Sequence, residues 1–332
     1  MASRLLGEEA IASLVTQAPE NCASSLSHAG LQPLLADLQS GRYLEQTIIA
    51  TQLEDIRILM RAAGEGRIFL QYWTLRFEIT NLKAIIRGRM HHADNQEIRR
   101  QLSDLGFLAR LPLDTLLATE DVGELLRRLE TTPYGDMVRF ARRAFEAQPD
   151  LFDLDAALDR RFYHGLIELA LPLESSLGKP FKELMAAYID RVNLNWLLRF
   201  RFAYGLPAAQ VYYLLIPTHY RLGSNTMKVL ATLGRMDEVL AALPAPYRDW
   251  LHGAADINQA AAMLERQFAR SAHRILHSAA PAFARAFAYL LLRDRELRRV
   301  RAVLKGRALG IDTDTIALAA GLAVSPVAKA VA

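Results

Sequence analysis

EITNLKAIIRGR, residues 78–89, is written twice more along the chain, as DRVNLNWLLRFR at residues 190–201 and as ELRRVRAVLKGR at residues 296–307. Aligned without gaps, each copy opens on an acid: Glu78, Asp190 or Glu296. Asn81, Asn193 or Arg299 stands at +3, and Lys83, Asn195 or Arg301 at +5. Arg87, Arg199 or Lys305 follows at +9, and Arg89, Arg201 or Arg307 closes the copy at +11. The copies begin 112 and then 106 residues apart, too regular for chance composition, so the chain carries an internal repeat.

A helix turns by about 100° per residue. On that wheel Glu78, Asn81 and Arg89 share the stripe of Leu82, Ile85 and Ile86. Buried charge is tolerated only when partnered, so these residues should pair there or across to a neighbouring unit. The internal polar framework is therefore expected at Glu78, Asn81 and Arg89, at Asp190, Asn193 and Arg201, and at Glu296, Arg299 and Arg307. Lys83 and Arg87 fall on the opposite side as an i,i+4 pair of like charge, and Arg301 with Lys305 repeats the choice although such pairs are unfavourable. A basic rim aimed at an acidic partner explains this, which makes Lys83, Arg87, Arg199, Arg301 and Lys305 candidate partner contacts. A solvated face with tolerated repulsion fits the same spacing.

Outward from the copies, apolar residues keep helical spacing over most of the chain. Helices are expected near residues 5–15, over 31–38 and 43–63, over 69–90 with the first copy, over 158–170 and 181–204 with the second, and over 264–276 and 283–309 with the third. Gly64, Gly66, Pro133, Gly135, Gly178, Pro180, Gly205, Pro207 and Pro281 punctuate them. Leu158-Asp159 and Leu264-Glu265 each stand 32 residues ahead of the acid of their own copy, whereas Leu44-Glu45 is two positions out of that register. Pro133-Tyr134 and Pro246-Tyr247 recur 113 apart. Alternating β-branched runs bounded by hairpin turns are lacking, so the expected fold is all-α, in three helical units. They span 1–150 (core 43–90), 151–256 (core 158–204) and 257–332 (core 264–310).

With 332 residues, 52% of them hydrophobic and 23% charged, the chain has the composition of a folded protein. A net charge of +4 is modest for a nucleic-acid binder, and the helix of the arginine-rich third copy carries Asp294 and Glu296 and lacks aromatics interleaved with the bases of the copy. Cys22 is the one cysteine, so no intrachain disulfide can form, and a reducing compartment and an inert thiol are expected. Neither a secretion signal nor a transmembrane helix is expected. His273 and His277 are i,i+4 in HRILH, but Arg274 stands where zinc-protease helices carry an acid. His91-His92, after a cluster of bases, suits a helix end. Gly178-Lys179 is followed by proline, so no P-loop is formed, and no Gly-x-Ser-x-Gly elbow or Cys-His pairing stands out. No catalytic residue, cofactor or metal is expected.

The three-fold recurrence of acid, Asn, Lys and Arg resembles the C subunit of the archaeal and bacterial A/V-type ATPases, equivalent to the d subunit of the eukaryotic vacuolar ATPase. SRLLGEEA at Ser3 to Ala10, LETTPYG at Leu129 to Gly135, LDRRFY at Leu158 to Tyr163 and RRVRAVLKGRALGID at Arg298 to Asp312 resemble that family at corresponding places, over nearly the whole chain. The resemblance implies a funnel of three units about a pseudo-three-fold axis, in a bacterial V/A-type ATPase. One end would sit on the cytoplasmic side of the membrane rotor ring of c/K-type subunits, and central-stalk subunits of D and F type would dock in the socket. Such a protein transmits torque for proton or sodium transport and catalyses nothing. Asn195 and Arg299 depart from the repeat, so the units are expected to make unequal contacts. A helical-repeat interaction scaffold unrelated to the ATPase would share the periodicity but not the motif order.

Overall fold

The computed structural model describes residues 4–17, 21, 23–31, 44–147 and 150–322. Cys22, most of the stretch 31–38 and the Ala-rich end beyond Leu322 lie outside them. Among the described residues all regular structure is helical. The helices are α1 (Glu8–Thr16), α2 (Ala23–His28), α3 (Leu44–Met60), α4 (Arg67–Trp73), α5 (Leu75–Met90), α6 (Asn95–Gln101), α7 (Leu113–Leu117), α8 (Val122–Leu129) and α9 (Gly135–Ala147). They continue as α10 (Leu151–Leu198), α11 (Ala208–Leu214), α12 (Ser224–Thr232), α13 (Met236–Ala242), α14 (Tyr247–Leu251), α15 (Ile257–Leu276), α16 (Ala282–Ala308) and α17 (Thr313–Ala319).

The chain divides into two compact bodies, one of Met1–Ala62 with Ala272–Ala332 and one of Ala63–Ser271. In the first body, Leu297, Val300, Val303 and Leu304 of α16 are buried against Ile11 and Leu14 of α1, Leu26 of α2, Ile48 of α3 and Ile316 of α17. The second body holds two cores. One gathers Leu82, Ile85 and Ile86 of α5 with Ile98, Leu125, Leu126, Leu129 and Tyr134. The other gathers Leu194, Leu197 and Leu198 of α10 with Val211, Leu230, Leu243 and Tyr247. Each core is thus built on one copy of the repeated helix, because the apolar positions of the copy form one stripe.

Local chemistry sets the helix ends. Asp94, Asp121 and Asp312 accept hydrogen bonds from the amides of Glu97 (2.8 Å), Glu124 (2.7 Å) and Thr315 (2.8 Å), satisfying donors that the first helical turn leaves open. Within α10, Gly178 adopts φ 67° and ψ −162° two residues ahead of Pro180, which breaks the run into two helical pieces. After each copy the chain closes in the same way. Ala93 donates to the carbonyl of Gly88 (2.9 Å), Ile311 to that of Gly306 (3.0 Å) and Leu206 to that of Phe200 (2.9 Å), each just past a residue of positive φ: His92, Gly310 or Gly205. The second closure is one residue longer, and the π-helical turn Arg199–Ala203 absorbs the extra residue.

Candidate interaction site: the framework of the repeated helices

The opening acid of every copy faces inward and holds the backbone just ahead of a short helix. Glu78 accepts from the amides of Arg110 and Leu111 (the latter at 2.9 Å) and from the Tyr134 hydroxyl. Asp190 accepts from the amide of Leu222 at 3.3 Å and from the Tyr247 hydroxyl at 2.6 Å. Glu296 accepts from the amide of Leu6 at 2.5 Å and from the Arg293 guanidinium. Leu111, Leu222 and Leu6 each precede by two residues the start of α7, α12 and α1. Burial pushes all three carboxyls above their ordinary values, Asp190 to about 6 and Glu296 to about 7.

In the first two copies the +3 residue serves the loop in front of the same helix. Asn81 donates to the Ser103 carbonyl and accepts from the Ser103 amide, both at 2.8 Å. Asn193 does the same with Ile216 at 2.9 Å. Arg299 donates from Nε to the Ala320 carbonyl at 2.6 Å and forks its other nitrogens onto Glu8 at 2.9 and 2.6 Å. The Ala320 amide already donates to the Ile316 carbonyl, so a donor-only side chain suffices there.

The +11 arginine caps the far end of that helix. Arg89 donates to the Leu117 carbonyl, Arg201 to those of Ala231 (2.9 Å) and Leu233 (3.0 Å), and Arg307 to that of Leu14 (2.6 Å) and to that of Gln17. These carbonyls lie at the C-terminal ends of α7, α12 and α1, where the last turn lacks amide partners and a cation is favoured. The framework residues therefore do not pair with one another. Each copy uses its acid and its last arginine to grip one short helix at both ends. In the third copy that helix is α1, drawn from the opposite end of the sequence.

The outward positions are less uniform than the helical wheel implies. Arg87, Arg199, Arg301 and Lys305 are exposed, but the Lys83 side chain is only 14% exposed and its ammonium lies 2.7 Å from Asp159. The expectation that Lys83 projects to a partner is thus corrected: α10 packs across that side of α5, giving the helix two covered faces. The pair is one of a set. Arg301 meets Glu45 at 2.8 Å, and Glu265 meets Arg191 at 2.8 Å. Asn195 cannot form such a pair, and a base one turn earlier replaces it. The acids belong to Leu44-Glu45, Leu158-Asp159 and Leu264-Glu265, so the two-residue offset of the first is absorbed in the turn Gly64–Gly66 between α3 and α4.

Two participants escaped the repeat pattern. Tyr134 and Tyr247 donate to the framework acids, and the recurrence of Pro-Tyr was their only signal. In the third copy Arg293, inserted three residues ahead of Glu296, takes that role. Its Nε also meets Asp55 at 3.1 Å, to which the Tyr289 hydroxyl donates at 2.9 Å. No local pattern links residues so far apart in sequence. His273 and His277 stack at 6.3 Å, and burial pushes His273 below its ordinary value. Among the described residues no group of three His, Cys, Asp or Glu side chains could hold a metal ion.

Several archaeal proteins share this sequence at length. The A-type ATP synthase C subunit of Haloferax volcanii is 26% identical over 335 residues, covering 95% of this chain and 92% of that protein. That of Halobacterium salinarum is 26% identical over 270 residues, 76% of this chain and 74% of the relative. That of Methanococcoides burtonii is 22% identical over 265 residues, 78% and 72%. These relatives lend no support to the bacterial setting suggested by the resemblance. Residues 1–318 match the family described as ATP synthase (C/AC39) subunit, and the chain belongs to that family.

Proposed function

We propose that the chain is the non-catalytic rotor subunit of an A/V-type ATPase, a socket that couples the central stalk to the membrane rotor ring and transmits torque for ATP-linked proton or sodium transport. The match to the ATP synthase (C/AC39) subunit family over residues 1–318 carries this reading. The framework supports it. Three cores each hold a short helix by an acid at its start and an arginine at its end, and the ion pairs run from the first copy to the head of the second unit, from the second to the third, and from the third to the first. A set in which no unit is terminal suits three units about a pseudo-three-fold axis. Torque is then borne by buried, hydrogen-bonded groups with little freedom to yield.

Central-stalk subunits of D and F type and the ring of c/K-type subunits are the partners in this reading. Arg87, Arg199 and Lys305, exposed at the ends of the copies, are the cations offered to them. No helix among the described residues is long and apolar enough to cross a membrane, and we place the chain peripherally on the cytoplasmic face of the complex. The test is coexpression with the membrane and stalk sectors. Co-purification at low salt is expected, with loss of the chain as salt rises. Failure to co-purify at low salt, with the other subunits assembled, would overturn the assignment.

A further inference from the structure

Arg160 follows the same sequence logic as its neighbour Arg161, yet the two are treated differently. Arg161 donates from Nε to Asp136 at 2.6 Å. Arg160 donates from Nε to the backbone carbonyl of Leu215 at 3.0 Å, and among the described residues no carboxylate lies within ion-pair distance of it. Its guanidinium is layered against aromatic rings, 5.0 Å from the centre of Phe140 and 5.6 Å from that of Tyr213. Burial lowers its affinity for the proton, and the neighbouring Arg161 adds to this, while the Tyr213 and Tyr212 phenols oppose it. A half-buried cation without a counter-ion is costly unless something supplies one.

The guanidinium borders a cavity of about 270 Å³ walled by Tyr212, Tyr213, Pro217, Ser224 and Met227. Small-molecule clefts generally run from about 300 to 1,000 Å³, so this one lies just below that range, with room for a side chain. Its rim is two exposed tyrosines beside an arginine, the composition of binding hot spots. With Nε already committed to Leu215, Arg160 offers its two terminal nitrogens, a fork that matches one planar carboxylate. A single positive charge balances a single carboxylate and falls short of a doubly charged phosphate.

We infer that this cavity receives the side-chain carboxylate of an acidic residue presented by a partner polypeptide, with Arg160 as its anchor and Tyr212 and Tyr213 closing over the stem. The inference stands on the cavity alone and does not require the rotor assignment.

Two measurements test it. In the first, the full chain carrying ring-labelled tyrosine is titrated by NMR with N-acetylglutamate methylamide, the isosteric glutamine compound, and inorganic phosphate. The glutamate compound should shift the Tyr212 and Tyr213 signals and saturate on the order of millimolar, with binding about tenfold weaker for the glutamine compound and for Arg160→Met. Equal shifts with glutamine, tighter binding of phosphate, or no shift with any probe overturns the inference. Because Arg160→Met also frees the Leu215 carbonyl, Tyr213→Ala, at an exposed position, serves as the second variant and should weaken binding with helix content unchanged. In the second measurement, Arg160→Lys in the assembled complex is treated with a carbodiimide, which joins the introduced amine to a contacting carboxylate. A cross-link from position 160 to an acid of another polypeptide is expected. Cross-links confined to acids of this chain, or none, overturn the inference, whatever complex the chain is found in.

Discussion

Asp190 is completely buried, and its two oxygens are held by the Leu222 amide and the Tyr247 hydroxyl. Burial raises its carboxyl from an ordinary 3.8 to about 6. A folded-state value above the unfolded one means that the contribution to stability is whole below about 3.8 and is lost as pH rises through about 6. Wild type should therefore lose denaturant resistance across that window, and Asp190→Asn should flatten that part of the profile while leaving the shares due to Glu78 and Glu296. An unchanged slope in the variant would refute the assignment. Glycine at +10 is the other residue with a fixed role. A Cβ at position 88 would overlap Cγ1 of Ile98, and one at 306 would lie 2.7 Å from Cγ1 of Ile316. Gly88→Ala should cost about 1–3 kcal/mol in chemical denaturation, with part recovered by the added substitution Ile98→Ala. In the second copy Phe200 occupies this place, and the extra π-helical residue rearranges the turn that leads to Val211.

At the scale of elements, much of the framework was legible in the sequence, since the stripe of Leu82, Ile85 and Ile86 already places Glu78, Asn81 and Arg89 inward. What they hold was not, because the backbone groups of Ser103, Arg110 and Leu117 leave no mark in composition or period. Lys83 was misplaced because the wheel assumes one covered face, and a helix packed on two sides has no simple polar face. The grip of α16 on α1 was also invisible, joining residues some 290 positions apart, such as Leu6 and Glu296. Arg307→Met isolates that grip by removing the bonds to the Leu14 and Gln17 carbonyls. Hydrogen bonds from charged donors are worth about 1.5–3 kcal/mol, so amide exchange in α1 should speed up by at least about tenfold. The amides of α5 and α8, in the other compact body, should exchange as in wild type. Equal acceleration in both bodies would show that the arginine supports the fold generally rather than one helix end.

For the molecule as a whole, the outward bases have two separable roles. Arg301 pairs with Glu45, both being about half exposed, and such pairs contribute only about 0–1 kcal/mol. Arg301→Glu should therefore lower stability by less than about 1 kcal/mol, and the swap with Glu45→Arg should restore it. Arg199 and Lys305 are exposed, and among the described residues no carboxylate lies within ion-pair distance of them. Reversing both should leave helix content and denaturation midpoint at wild-type values. If these cations face acidic partners, the doubly reversed chain should leave the assembled complex at a lower salt concentration than wild type, because exposed charge pairs weaken as the screening length shortens. The charge-swapped Glu45 and Arg301 chain should leave at the wild-type concentration, since its change is internal. The opposite ranking would move the partner contact from the +9 positions to Arg301, and equal release of all three chains would remove the basic rim from the assembly altogether.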